Sequence, residues 1–581
     1  MVSAARPRLE VCALACRFAD PPAQALVDAS LAVGAGELVA IMGESGAGKS
    51  TLLRCVNGLV PSLAPAACAG TITLDGVPIL GEPVGTLAGR VAMVFQDFEA
   101  QLFSTNVRLE VAFGPAQLGV PPDELERRVA ASLELVELSD LVGRDPRTLS
   151  GGQKQRLAIA SILAMAPAVI LLDEAATDLD PLGREELYAT LQRLRAQGIA
   201  LVAVEHEIDP LLGADRLCLM RQGSVVASGP PAELARDVDA FVACGVRPHD
   251  LAVLARHLGV ELPLDVEGAV AALRRRGVTA APYAAASASV PPRAAASARV
   301  PPRADAAASP LGAPILVLDR LSHSYAEGAS AIRDVSLTLG AGEVIALIGR
   351  NGSGKTTLAK HLNGLLRASD GSVRLDGADV AALPLDRVAQ QIGYVFQNPD
   401  DQLFAATVAE EVAFGPRNFG LDGDALAARA AEVLAAVGLA ERCDDDPFLL
   451  SKGERQRLAV ATVLAMAPRV LILDEPTTGL DYPQQRRMLD LVVRLRARGT
   501  TIILITHSPW VVAEYAERVL LMHAGRLVFD GAFAAFVADA ALRRMAAFEP
   551  PPATRVGLAL GHVARTVDEL VALLGAATRS E

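Results

Sequence analysis

Within 581 residues the same ordered series of short phrases occurs twice. "GESGAGKST" at 43–51 returns as "GRNGSGKTT" at 349–357, with the two lysines 306 positions apart. "VFQDFEAQLF" at 94–103 returns as "VFQNPDDQLF" at 395–404, "TLSGGQKQR" at 148–156 as "LLSKGERQR" at 449–457, and "LLDEA" at 171–175 as "ILDEP" at 472–476, each 301 positions later. The histidines of "VEHEID" and "ITHSPW" keep that displacement. A chain this long exceeds one ordinary hydrophobic core. The repeat divides it into two copies of one domain, differing by five residues between the first and second phrases. We expect a first domain over 8–260, a second over 314–545, and a helical tail over 546–581, of which 557–581 reads as one amphipathic helix packed on the second domain, with dimer contact as the alternative.

Between the copies, "AAPYAAASASVPPRAAASARVPPRADAAASP" (280–310) repeats an Ala/Ser/Pro unit with too few large apolar residues to build a core. Residues 279–312 are therefore expected to be an extended linker, with peptide docking at "VPPR" as the alternative. A net charge of -13 repels polyanions, so no nucleic-acid partner is expected. The seven cysteines are odd in number and widely scattered, which reads as reduced thiols rather than a disulfide framework or a zinc site. The N-terminal segment lacks the apolar run of a secretion signal. One long apolar, uncharged stretch, "LAIASILAMAPAVILL" (157–172), is shorter than the roughly 18–20 apolar residues that span a bilayer, and it contains Pro167. It reads as a buried helix followed by a buried strand, so any membrane-spanning part is expected on other chains.

The pattern G-x-x-x-x-G-K-[ST] occurs at Gly43…Gly48-Lys49-Ser50 and Gly349…Gly354-Lys355-Thr356. Each copy follows a short apolar run ("ELVAIM", "EVIALI") that reads as a buried parallel strand, and each opens a helical segment. Glycines let backbone N–H groups wrap phosphates, the helix N-terminus adds positive potential, and the lysine neutralises β- and γ-phosphate charge. Ser50 and Thr356 offer hydroxyls to Mg²⁺. The expected nucleotide loops are Gly43, Glu44, Ser45, Gly46, Ala47, Gly48, Lys49, Ser50 and Thr51, and Gly349, Arg350, Asn351, Gly352, Ser353, Gly354, Lys355, Thr356 and Thr357.

"AVILLDEA" and "RVLILDEP" are apolar strands ending in paired carboxylates, placed where α/β sheets bind ligands. Asp173 and Asp474 are expected to hold Mg²⁺ directly or through water. Glu174 and Glu475 are expected to act as general bases that polarise the water attacking the γ-phosphate.

With the phosphate loop, the acid pair and "LSGGQ" in one order, both halves resemble ATP-binding-cassette ATPase domains. The resemblance implies an α/β fold: two P-loop domains in tandem, each with a mainly parallel sheet core, an antiparallel part and a helical subdomain. It implies ATP and Mg²⁺ as cofactors and ATP hydrolysis coupled to transport. It makes Gln96 and Gln397 the glutamines at the nucleotide's metal that link to a partner subunit. His206 and His507 become the catalytic histidines at the γ-phosphate, and Asp180 and Asp481 belong to the loop after the acid pair. Phe18 and Tyr325 lie where the family stacks an aromatic ring on adenine. Ser150, Gly151, Gly152 and Gln153, and Ser451, Lys452, Gly453 and Glu454, become the signature residues that meet nucleotide.

Within that family, "VFQDFEAQLFSTNVRLEVAFGP" and "VFQNPDDQLFAATVAEEVAFGP" resemble the paired cassettes of energy-coupling-factor importers, here fused. That resemblance implies import of a vitamin or a transition-metal ion. Its partners would be a transmembrane coupling subunit and a small substrate-binding membrane subunit, with this chain peripheral on the cytoplasmic face of the cell membrane. The alternative for "QLF" is packing of the leucine and the aromatic under the loop. Alternatives for the function are the ATPase of a conventional importer, or a soluble twin-cassette ATPase acting on ribosomes or DNA.

Such cassettes close head-to-tail, so the resemblance implies two composite sites, with "LSKGE" completing the one built on Lys49 and "LSGGQ" the one built on Lys355. Both phrases fit a capping box, in which Ser caps a helix and the Gln or Glu three residues on reaches back to it. Lys452 carries most of the difference. A left-handed backbone there would cost roughly 1–2 kcal/mol, so ordinary dihedrals are expected, with turnover altered rather than abolished.

Overall fold

The computed structural model describes residues 6–19, 22–177, 179–278, 313–325 and 330–577. The expected linker and its "VPPR" alternative lie outside the described residues. Two compact units result, one of residues up to 264 and one of residues from 265 onward without Asp481–Pro483.

The first unit contains β1 Leu9–Ala19, β2 Pro22–Val33, β3 Leu38–Met42, β4 Ala66–Leu74, β5 Val77–Pro78, β6 Val91–Val94, β7 Val169–Asp173, β8 Ala200–Val204, β9 Arg216–Arg221 and β10 Ser224–Gly229. They form one sheet in the order β5-β4-β1-β2-β10-β9-β3-β8-β7-β6. Strands β6, β7, β8, β3 and β9 pair in parallel. Strands β1, β2, β4 and β5 form an antiparallel wing, joined through the pair Ser224↔Asp28. The runs "LVAIM", "VILLD" and "ALVAV" are buried at every position. Parallel strands covered on both faces need such uninterrupted apolar runs. The 157–172 stretch folds as expected, with helix Gly151–Leu163 ending before Ala166 (φ 60°) and β7 beginning at Val169.

In the second unit the strands are β11 Pro314–Ser324, β12 Ser330–Gly340, β13 Val344–Ile348, β14 Asp370–Leu375, β15 Ala378–Asp379, β16 Ile392–Val395, β17 Val470–Asp474, β18 Thr501–Ile505, β19 Arg518–His523 and β20 Arg526–Ala532. The core order is β16-β17-β18-β13-β19-β20 and the antiparallel wing is β12-β11-β14-β15. Wing and core are linked as in the first unit: Arg333 N donates to Gly525 O at 2.8 Å, as Val27 N donates to Gly223 O at 3.0 Å. Each unit adds a helical arm, of Val107–Gln117, Pro122–Leu135 and Gly151–Leu163 in the first, and of Val408–Asn418, Gly423–Val437 and Lys452–Leu464 in the second. This is the α/β architecture the phrases predict: parallel core, antiparallel wing and helical arm.

The tail differs from the expected single helix. It forms Pro552–Ala559 and Val567–Ala577, separated by Gly561 at φ 81°. Arg565 donates from Nε to Ala513 O at 2.7 Å and places its guanidinium 5.9 Å from the Phe533 ring centre, fastening the tail to the second cassette. Helix Val266–Arg275, just beyond the expected first domain, packs in this unit through Arg274 Nη2 to Ala559 O at 2.9 Å.

Candidate nucleotide-binding and hydrolysis sites

Both phosphate loops run from the C-terminal end of a buried parallel strand into a helix, Lys49–Val56 and Lys355–Leu362. The turn depends on glycine at its last position. Gly48 (φ 98°) and Gly354 (φ 101°) are left-handed, and a Cβ there would crowd the Ala25 and Ala331 carbonyls. Lys49 Nζ, buried, donates to Gly43 O at 2.7 Å and Glu44 O at 2.9 Å. Lys355 Nζ repeats this with Gly349 O at 2.7 Å and Arg350 O at 3.1 Å. Each lysine thus lies folded along its own loop, within reach of a phosphate held there.

The carboxylates stand at the C-terminal ends of β7 and β17. Ser50 Oγ donates to Asp173 Oδ1 at 2.9 Å, and Thr356 Oγ1 to Asp474 Oδ2 at 3.3 Å. A hydroxyl beside a carboxylate is the hard oxygen donor set that suits Mg²⁺, so the residues present fit that ion. Burial raises the Asp173 carboxyl, with the Ser50 hydrogen bond opposing it, and raises the Asp474 carboxyl, with the Tyr394 and Thr356 hydroxyls opposing it. Burial also pushes the Lys49 ammonium down, against the pull of Glu174 and Asp173. Acids raised and a lysine lowered, all by burial, describe charges that a cation and a polyphosphate would satisfy.

Glu174 (φ 53°) and Glu475 (φ 47°) are left-handed non-glycine residues. That conformation costs about 1–3 kcal/mol and persists only where the surroundings enforce it. Here Glu174 N donates to Val204 O at 3.0 Å and Glu475 N to Ile505 O at 2.8 Å, pinning both turns. Gln96 Nε2 donates to Glu174 Oε2 at 2.6 Å, and His206 Nε2 lies 2.7 Å from Glu174 Oε1. In the second copy His507 Nε2 is 3.6 Å from Glu475 Oε1 and 3.1 Å from Asn351 Oδ1, while Gln397 is exposed.

Tyr325 Oη lies 3.2 Å from Thr357 Oγ1, exposed beside its loop, whereas Phe18 is partly buried against the wing core. Asp180 caps helix Pro181–Ala196 by accepting from Gly183 N at 2.9 Å. Both signature phrases form complete capping boxes, with Ser150 (φ -67°, ψ 160°) and Ser451 (φ -60°, ψ 157°) nearly superposable. Lys452 is ordinary helix, as expected, and a Cβ on its counterpart Gly151 would meet nothing within 4 Å. The Ser451 hydroxyl differs, since it donates to Glu454 Oε2 at 2.7 Å. Despite burial, the hydrogen bonds from Ser451 hold the Glu454 carboxyl below its ordinary value.

The ABC transporter family model matches residues 26–177 and 332–478. A protein of Caldanaerobacter subterraneus subsp. tengcongensis, named as an ABC transporter ATP-binding protein, is 40% identical over 93% of this chain and 94% of its own.

The chain belongs to the ABC transporter family.

A similarly named protein of Methanosarcina acetivorans is 38% identical to this ABC ATPase over 94% of its chain and 90% of the relative. Among solved structures, cbiO1 of Clostridium perfringens is 35% identical, with a TM-score of 0.37, over 40% of this chain and 93% of that one. Residues 446–513 of the second cassette also match an AAA-domain model. The ABC ATPase hydrolyses ATP and contains two cassettes. No helix among its described residues is long and apolar enough to cross a membrane.

The Glu205–Thr506 difference before the histidines already marks the halves as non-equivalent in sequence, whereas the roles of Tyr394 and a cysteine cluster stand out only in the structure. Glu205, before the first histidine, is a buried acid whose carboxyl accepts from Ala176 N at 3.3 Å, and burial pushes it up to about 8. Tyr394 Oη donates to Asp474 Oδ2 at 2.6 Å, where the first copy has Met93, 301 positions earlier. Alignment of the two halves exposes both differences. Cys16, Cys55 and Cys68, scattered in sequence, bring their sulfurs together. Only the strand pairing reveals that.

Proposed function

We propose that this ATPase energises a membrane importer of the energy-coupling-factor type, for a vitamin or a transition-metal ion, from the cytoplasmic face of the cell membrane. The observation that carries the proposal is a repeated exposed aromatic pair. Phe103 and Phe113 are 61% and 46% exposed, and Phe404 and Phe414 are 60% and 45% exposed. Each pair meets edge-to-face at 4.7 Å. The leucine of each "QLF" packs inward, with Leu403 buried and Leu102 packed on the core, but the aromatics turn outward.

The presentation is deliberate in structural terms. Buried Glu110 accepts from Phe103 N at 3.1 Å and Ser104 N at 2.7 Å, and buried Glu411 accepts from Phe404 N at 2.8 Å and Ala405 N at 2.6 Å. Ion pairs Lys154–Glu99 (2.9 Å) and Arg455–Asp400 (2.7 Å) tie each signature helix to the segment after its glutamine. Aromatic groups held rigid and desolvated on one side suit the apolar face of a helix from a coupling subunit.

In this reading Glu174 and Glu475 take the proton of the attacking water, while His206 and His507 orient that carboxylate and reach the γ-phosphate. Lys49 and Lys355 compensate phosphate charge, and Gln96 links Glu174 to the aromatic segment. Mg²⁺, held by Ser50 and Asp173 or by Thr356 and Asp474, supplies neutralisation of the phosphate oxygens. Phe103→Ala with Phe404→Ala is the test. The double variant should keep its ATP turnover as a purified chain and lose copurification with small hydrophobic membrane proteins. Retained copurification would remove this reading, and copurification with ribosomes would replace it.

A further inference from the structure

Cys16 from β1, Cys55 from the phosphate-loop helix Lys49–Val56 and Cys68 from β4 place their sulfurs within 4.8 Å of one another. Cys16 and Cys68 are direct cross-strand partners, with Sγ atoms 3.6 Å apart. Cys16 is 0% and Cys55 1% exposed, whereas Cys68 is only partly buried and opens the cluster towards solvent. A lone buried cysteine is normally a small hydrophobe. Three converging from separate elements are a ligand set.

The second cassette provides an independent observation. Ser322 pairs with Asp370 as Ala15 pairs with Ala69, so the places of Cys16, Cys55 and Cys68 are taken by His323, His361 and Ser369, which lie 307, 306 and 301 positions later. The His323 and His361 rings stand 4.6 Å apart. Their Nδ1 atoms meet Arg367 O at 3.1 Å and Thr357 O at 2.7 Å, and their Nε2 atoms are buried with no hydrogen-bond partner. A niche that merely needed filling would not hold imidazoles with unmet nitrogens. The same corner of both cassettes carries side chains of types that can ligate metals, cysteines in the first and histidines in the second.

We propose that Cys16, Cys55 and Cys68 form a three-sulfur site for one soft, thiophilic cation, with cuprous ion as the species of matching chemistry. A metal about 2.3 Å from each of three sulfurs requires them about 4 Å apart, close to the spacing already present. Among the described residues no further Cys, His, Asp or Glu atom joins the cluster, which suits trigonal cuprous ion better than tetrahedral zinc. Binding replaces thiol protons by the cation and releases them to solvent through the Cys68 side. The bound ion ties the far end of the Lys49–Val56 helix to wing strands β1 and β4, so it stabilises the element that begins at the phosphate-binding lysine.

The test titrates the full-length chain, purified without oxygen, with cuprous ion against a chromogenic cuprous chelator. The wild type should bind one equivalent that Cys16→Ser/Cys55→Ser/Cys68→Ser lacks, and X-ray absorption should show sulfur neighbours at about 2.3 Å. Cys68→Ser alone, partly exposed and checked for fold by circular dichroism, should weaken that equivalent at least about tenfold. Four results would overturn the site: equal binding by the triple variant, nitrogen or oxygen neighbours only, retention of zinc but not cuprous ion, or five titratable thiols of the seven because Cys16 and Cys68 are joined. None of these bears on the proposed import function.

Discussion

His206 Nε2 lies 2.7 Å from Glu174 Oε1, whereas the equivalent atoms of His507 and Glu475 are 3.6 Å apart. Gln96 holds the other Glu174 oxygen at 2.6 Å, and Asn351 meets the second histidine at 3.1 Å. The two proposed bases therefore start from different hydrogen-bonded states, and the halves should not turn over ATP alike. Glu174→Gln and Glu475→Gln, introduced separately, should each reduce hydrolysis at their own site by about 10²–10⁴-fold, yet leave unequal total rates. Steady-state phosphate release from the purified chain measures this; equal residual rates would sink functional asymmetry.

Lys452 occupies a helical position whose counterpart, Gly151, faces open space. Exchanging the residues between copies tests the chemistry of the side chain apart from the fold. Gly151→Lys should leave the unfolding midpoint unchanged to within about 0.5 kcal/mol, because its Cβ meets nothing. Lys452→Gly should lower stability by no more than about 1 kcal/mol. Both should change ATP turnover while the capping boxes persist. Unaltered turnover in both variants would mean that the lysine points away from nucleotide.

Glu205 gives the first cassette a pH dependence that the second, with Thr506 in its place, lacks. Burial raises its carboxyl to about 8, with Glu174 and Glu207 adding to the shift and Arg184 and the Ala176 N–H opposing it. A carboxyl raised in the folded state binds more protons there than in the unfolded chain. Its contribution is present below the unfolded value near 4.5 and is lost as pH rises through about 8. Wild-type stability should fall across that window, by at most about 1.4 kcal/mol per pH unit from this group. Glu205→Gln should flatten the slope, and thermal melts at pH 5, 6, 7 and 8 would show whether it does.

The phosphate loops, acid pairs, histidines and capping boxes were legible because each is written in contiguous residues whose local turn needs those residue types. Gly48 and Ser150 announce their own backbone conformations. What stayed hidden depends on register between distant segments. Nothing near Cys16 signals that β4 will place Cys68 opposite it, and the "EVAFGP" run does not say that its glutamate turns back to the loop before it. The single amphipathic helix expected for the tail is broken by the left-handed backbone at Gly561.

Glu411 shows how such a buried acid shapes an exposed surface. Its carboxylate accepts from Phe404 N at 2.8 Å and Ala405 N at 2.6 Å, and Glu110 does the same for Phe103 and Ser104. Hydrogen bonds to a charged group contribute about 1.5–3 kcal/mol each, and leaving buried N–H groups unmet costs about as much. Glu411→Ala should therefore lower the urea midpoint by an amount equivalent to about 2–4 kcal/mol and release the Phe404 segment to proteases. Phe404→Ala, which removes only exposed ring, should leave that midpoint within about 0.5 kcal/mol of wild type. If the two variants unfold alike, the carboxylate does not hold the loop, and the rigid presentation of the aromatic pair loses its physical basis.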